Sequence, residues 1–203
     1  MQLLDYLLYA SLACIVIFLV PGPLFFLSLS EGALSLRRGL GVLIGILLGE
    51  VILLTALFIG FAAILRVFTF FLKLLGAAVL VSLAVSAWMG AAKPGDKVTR
   101  MNAGNPALKG FTLTLANPPF IIWLISVGSA VLDRGVGSLG GAAYWVFAFA
   151  MLSSTLLVKG LLVTSAHYSR VILGQRFASA LAIASGTAFL VFAALLLAEL
   201  MDL

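Results

Sequence analysis

The sequence predicts an all-α integral membrane protein: six transmembrane helices, arranged as two inverted three-helix repeats in which helices one and four are broken. Three observations carry this expectation. Of the 203 residues, 64% are apolar and 9% charged, with mean hydropathy +1.26, whereas soluble domains run near roughly 45–50% apolar and 25% charged. Six spans at about 20 apolar residues each take roughly 120 residues, which leaves short connections and no room for a soluble domain. The whole chain then forms one membrane domain. The third observation is an internal repeat at a spacing of 96 residues, set out below.

Apolar runs interrupted by charge and by Gly/Pro clusters fall at 3–34, 39–65, 67–92, 108–131, 139–164 and 177–200. The first run has no basic leader and carries Asp5 instead, and it continues past Pro21, so it reads as a mature helix rather than a signal peptide. Connections are expected at 35–38, 66, 93–107, 132–138 and 165–176. Only 93–107 (KPGDKVTRMNAGNPA) is polar and turn-rich enough to be a linker. It separates repeat one (1–92) from repeat two (108–203).

Setting 21–45 over 117–141 aligns Pro23/Pro119, Ser30/Ser126, Gly32/Gly128, Leu36/Leu132, Arg38/Arg134, Gly39/Gly135, Gly41/Gly137, Leu43/Leu139 and Gly45/Gly141. These nine identities exceed the roughly two or three that such a composition gives by chance. A unit of three spans reverses the entry side of the next unit, so the second repeat is inverted, as is common in secondary transporters. Within the aligned blocks, Pro21-Gly22-Pro23 and Asn117-Pro118-Pro119 remove amide donors inside apolar runs and break both helices. Unwound backbone at membrane depth is tolerated only inside protein or against a water-filled cavity. The breaks at matched positions therefore mark a candidate transport site; the plainer reading is two kinks that serve packing.

Orientation follows from the basic residues. Arg37, Arg38, Lys93, Lys97, Arg100, Lys109, Arg170 and Arg176 lie in or beside connections one, three and five, against Arg66 and Arg134 in two and four. The odd connections are then cytoplasmic, and both termini face outward from the cell inner membrane. Net charge +5 is explained by this pattern and not by a nucleic-acid face. A single cysteine, Cys14, and a single histidine, His167, exclude an internal disulfide and leave little for a soft metal, so no metal or other cofactor is expected. No nucleophile elbow or Ser/His or acid cluster suggests an enzyme.

Glu50 lies near the centre of the second span, where an acid costs roughly 2.5–3.5 kcal/mol and must face the interior. It either carries a proton or pairs with a substrate ammonium, or else it is a structural partner of Lys73 or Lys159. The two lysines either snorkel or reach inward. Gly45-x-x-x-Gly49 offers a close-packing face. Glu31, near a helix end, is expected at the headgroups, and Leu24, Ser30, Phe120 and Trp123 are candidate cavity residues.

Pro21-Gly22-Pro23, Arg37-Arg38-Gly39, Gly45-x-x-x-Gly49-Glu50, Leu72-Lys73-x-x-Gly76-Ala77-Ala78 and Gly110 followed by Asn117-Pro118 together resemble, over about residues 15–130, the lysine-exporter (LysE-type) translocator family of amino-acid efflux proteins. The chain departs from the family pattern at Leu24, Glu50 and Val79, where that family usually has Asn, Asp and an aromatic residue. The resemblance implies a six-helix inner-membrane exporter of amino acids or related small polar metabolites, coupled to protons, with the bilayer and a homo-oligomer as further partners. An ion or metal-cation carrier or channel is the competing reading, because Asn-Pro breaks and buried carboxylates also occur in pores.

Overall fold

A computed structural model describes residues 3–59, 69–92 and 104–201, and the described residues are helices and turns without strands. Helix α1 (Leu3–Leu19) ends where Pro21 and Pro23 withdraw their amide donors, and α2 (Pro23–Leu34) starts with Pro23 at its first position. The two are bent by 71° at this break. Ser35 alone separates α2 from α3 (Leu36–Phe58). Its amide donates to Glu31 O at 3.2 Å and its hydroxyl accepts from the Arg38 amide at 3.2 Å, so it closes one helix and caps the next. Beyond α4 (Thr69–Ala92), Asn105 caps α5 (Pro106–Leu115) by accepting from the Ala107 amide at 3.0 Å. A second break at Ala116–Asn117 precedes α6 (Pro118–Trp123), which runs through a π-helical turn (Leu124–Gly128) into α7 (Ser129–Leu139). Gly140, with φ +58°, supplies the left-handed turn into α8 (Ala142–Met201).

Three expected connections are corrected. Connection one shrinks to Ser35, with Arg37 and Arg38 in the first turn of α3. The 132–138 stretch is helical, and the turn falls at Gly140–Gly141; Arg134 is accommodated by lying over the Tyr9 ring, 5.1 Å from its centroid. Residues 165–176 are also helical. The chain nevertheless doubles back between Arg170 and Ser185. Lys159 and Phe192 line one cavity, although 33 residues of straight helix would hold them about 50 Å apart. Arg170 reaches the C-terminal carbonyls of α2, and Ser185 returns to Phe26 O at 3.4 Å.

Three helical stretches are long and apolar enough to cross a bilayer, Leu36–Phe58, Pro118–Leu139 and Ala142–Arg170, and the bent pair α1–α2 is a fourth if counted as one span. Ala77–Met89 and Ser179–Leu195 are shorter apolar helical stretches. The chain is thus a helical multi-pass membrane protein. The two broken helices, α1–α2 and α5–α7, run antiparallel: Tyr6 at the start of α1 packs on Gly135 near the end of α7, and Glu31 near the end of α2 meets Lys109 near the start of α5.

Packing rests on a glycine seam. A Cβ at Gly45 would fall 1.9 Å from Ala107 O, one at Gly49 2.8 Å from Thr114 Cβ, and one at Gly110 2.3 Å from Val42 O. The backbones of α3 and α5 are therefore in direct contact, and the close-packing role expected for Gly45 and Gly49 is met. Two apolar cores flank the breaks. One gathers α1, the end of α3, α6–α7 and the start of α8; the other gathers α2, the start of α3, α4 and the end of α8.

Candidate functional site

The two helix breaks meet. Pro21, Gly22 and Pro23 line the same cavity of about 140 Å³ as Asn117 and Pro119. A second cavity of about 170 Å³ touches Pro23, Asn117, Pro118 and Pro119 from the other side. Both are small beside drug-sized pockets of roughly 300–1,000 Å³. Of the expected wall residues, Leu24 and Phe120 line the first cavity, where Phe120 is 6.1 Å from the Phe18 ring. Trp123 stands behind, stacked on Phe120 at 6.2 Å, and Ser30 turns its hydroxyl back to Leu27 O.

The break leaves backbone groups of cavity-lining residues without helical partners. Gly22 gives α2 no side-chain cap, and the first helical bond there is from the Phe26 amide to Gly22 O, so the Leu24 and Phe25 amides have no partner within the helix. On the other break, Asn117 is 7% exposed and its Oδ1 accepts from no group, although Asn117 lines both cavities.

Lys159 also enters the first cavity. Its ammonium is buried, donates to Phe18 O at 3.0 Å and lies 5.9 and 5.7 Å from the Phe18 and Phe25 ring centroids. Of the two orientations open to it in the sequence, the structure places it inward. One turn earlier on the same face of α8, Thr155 donates to Glu50 Oε1 at 2.7 Å. Glu50 is 0% exposed, its Oε2 has no partner, and it attracts Lys159 through space without an ion pair. The acid expected to face the interior does so, held behind the cavity wall by a threonine rather than by a lysine. Lys73 falls on α4, but its side chain lies outside the described residues, as do Arg66, Lys93, Lys97 and Arg100. Among the described residues, no group of three or more His, Cys, Asp or Glu side chains could hold a metal ion.

A polar cluster at one end of the bundle was not legible in the sequence. Glu31, expected at the headgroups, is buried, with Arg38 Nε at 2.6 Å and Lys109 Nζ at 2.7 Å. Arg170 donates beside it to Ala33 O at 2.9 Å and to Leu34 O, satisfying the C-terminal carbonyls of α2. Basic residues from connections one, three and five are thereby gathered at one end. The i, i+7 spacing of Glu31 and Arg38 hinted at a shared helix face, but Ser35 interrupts that helix, and Lys109 is 78 residues away. Replacing Glu31 with Gln leaves two partly buried cations facing each other, so it is expected to destabilise the protein by about 3–5 kcal/mol. Thermal unfolding in detergent measures this, with Arg37→Gln, at an exposed site, as the unchanged control.

A multi-pass helical bundle with a small, mostly apolar cavity between two broken helices has the architecture of a membrane transporter. The chain belongs to the LysE type translocator family, which matches residues 15–200. The match continues through α8, beyond the stretch in which the sequence motifs are concentrated. Neither the curated proteins nor the solved structures contain a match.

Proposed function

We propose that this transporter is a secondary exporter of amino acids or related small polar metabolites, driven by protons across the cell inner membrane. It has six spans in two inverted repeats, with both termini outside. The observation that carries this reading is the joining of the two breaks around one cavity. The antiparallel course of the broken helices, their matched positions in the sequence repeat and the gathering of basic residues at one end support the same arrangement.

In this mechanism the breaks are the substrate site: unwound backbone recognises the α-amino acid core, and Asn117 Oδ1 accepts from its ammonium. Glu50 is the proton-carrying group. It is bonded to Thr155, which lies one helical turn from the cavity lysine, so a change in its protonation alters the charge the site presents to a substrate. Rocking of the bundle about the breaks opens the cavity to each side in turn.

The experiment is reconstitution in proteoliposomes with a panel of labelled amino acids. Saturable counterflow that accelerates under an imposed pH gradient is the expected result; current without saturation assigns the chain to the channel class instead. In the same vesicles Asn117→Ala should lower transport efficiency by roughly tenfold or more while the yield of folded protein stays unchanged.

A further inference from the structure

The cavity at the breaks contains one charged side chain, Lys159, and no acid. A buried ammonium is costly unless its charge and its three donors are answered. Here it has one neutral carbonyl, Phe18 O, and the faces of two rings, and no acid among the described residues forms an ion pair with it. Glu50 attracts it from behind the wall but is bonded to Thr155. The same cavity receives the uncapped N-terminus of α2, with the Leu24 and Phe25 amides, which have no partner within the helix, at the positive end of the helix dipole. Two independent elements thus present positive charge to a space lined by no acid, in which Asn117 is the one other polar side chain.

We infer that Lys159 is the carboxylate-binding residue of the transport site, and that its charge makes the chain select carboxylates with uncharged side chains over dibasic amino acids. This deepens the exporter reading and rests on it for the word transport, but not for binding. A substrate carboxylate takes the ammonium from Phe18 O, completing its donors with an anion, and bridges it to the amides that open α2. The α-ammonium has Asn117 Oδ1. A second positive charge on the side chain would meet Lys159 in a wall otherwise built from Phe18, Leu24, Phe25, Phe120 and Phe192, with no carboxylate to offset it.

Binding to the purified full-length protein by equilibrium dialysis tests this with four probes: leucine, its deaminated analogue 4-methylpentanoate, its decarboxylated analogue 3-methylbutylamine, and lysine. Leucine and 4-methylpentanoate are expected to compete for one site; the amine should fail to compete, and lysine should bind at least roughly tenfold more weakly. Lys159→Met should raise the leucine Kd by roughly tenfold or more, and Lys159→Arg should restore most of the affinity. If the Met variant does not fold, the four probes on the wild-type protein decide alone. An amine that competes as well as the acid, lysine bound as tightly as leucine, or unchanged leucine affinity in a folded Lys159→Met variant would overturn the assignment. Transport of amino acids with Lys159→Met unaffected removes this inference and leaves the exporter reading. Binding that depends on Lys159 without counterflow removes the exporter reading and leaves this one, and failure of both leucine and its acid analogue to bind removes both.

Discussion

Glu50→Gln is expected to yield a folded protein that has lost proton-driven efflux by roughly tenfold or more while retaining part of its substrate exchange. Gln has the shape of Glu, and its carbonyl oxygen can still accept from the Thr155 hydroxyl, which is the one hydrogen bond Glu50 Oε1 makes. What is removed is the group that can bind and release a proton. Exchange of substrate for substrate needs only the cavity and its rocking, whereas net efflux against a gradient needs the proton to move. If Glu50 instead served only to balance Lys159, its loss would leave a buried cation uncompensated and reduce stability by about 3–5 kcal/mol with little effect on coupling in the protein that survives. Coupled and uncoupled fluxes in the same vesicles, read beside thermal unfolding, separate the two. Wild-type coupling in a folded Gln variant contradicts the assignment.

Gly45→Val is expected to abolish the folded state. The added Cβ would stand 1.9 Å from Ala107 O and 2.8 Å from both Ala107 C and the Phe111 amide nitrogen. These are backbone atoms, and a Cβ has no rotamer by which to avoid them, so α3 and α5 must separate along their whole seam. The same displacement would carry Asn117, two residues beyond the end of α5, away from Pro23 and open the cavity. The cost exceeds the roughly 4–5 kcal/mol that marks an exceptional point mutation. The monodisperse fraction after solubilisation measures it. Gly160→Ala is the matched comparison, since its Cβ would meet nothing within 4 Å, and a helical glycine gains up to about 1 kcal/mol on this change.

The helix breaks were legible because proline removes donors wherever it stands; Val20–Gly22 and Ala116–Asn117 are non-helical by local chemistry alone. Their meeting was the expectation drawn from the matched positions of Pro23 and Pro119 in the aligned sequence blocks. The Gly45/Gly49 face was readable for a similar reason: only a missing side chain lets two backbones touch. By contrast, the ends of the helices in the second half were misplaced. Asp133-Arg134-Gly135 looks like a connection in composition, yet it stays helical because Arg134 finds the Tyr9 ring and Tyr6 fills the space at Gly135. Lys159 and Glu31 could not be oriented from their own neighbourhoods. Lys159 sits where a long side chain reaches either the interface or the interior, and what decides it is Phe18 O, 141 residues earlier. Glu31 is held by Lys109, 78 residues later in the chain.

The most direct test of a cavity that opens alternately at the paired breaks is thiol accessibility at Pro119. Cys14 is the sole cysteine of the chain and is buried, so Cys14→Ala followed by Pro119→Cys gives one reporter at the cavity wall. A membrane-impermeant maleimide is applied to right-side-out and then to inside-out vesicles. The account predicts that Pro119→Cys is alkylated from both faces and that a transported amino acid protects it. Absence of labelling from either face, in a protein that still catalyses counterflow, would show that the breaks lie in closed packing and would contradict the site.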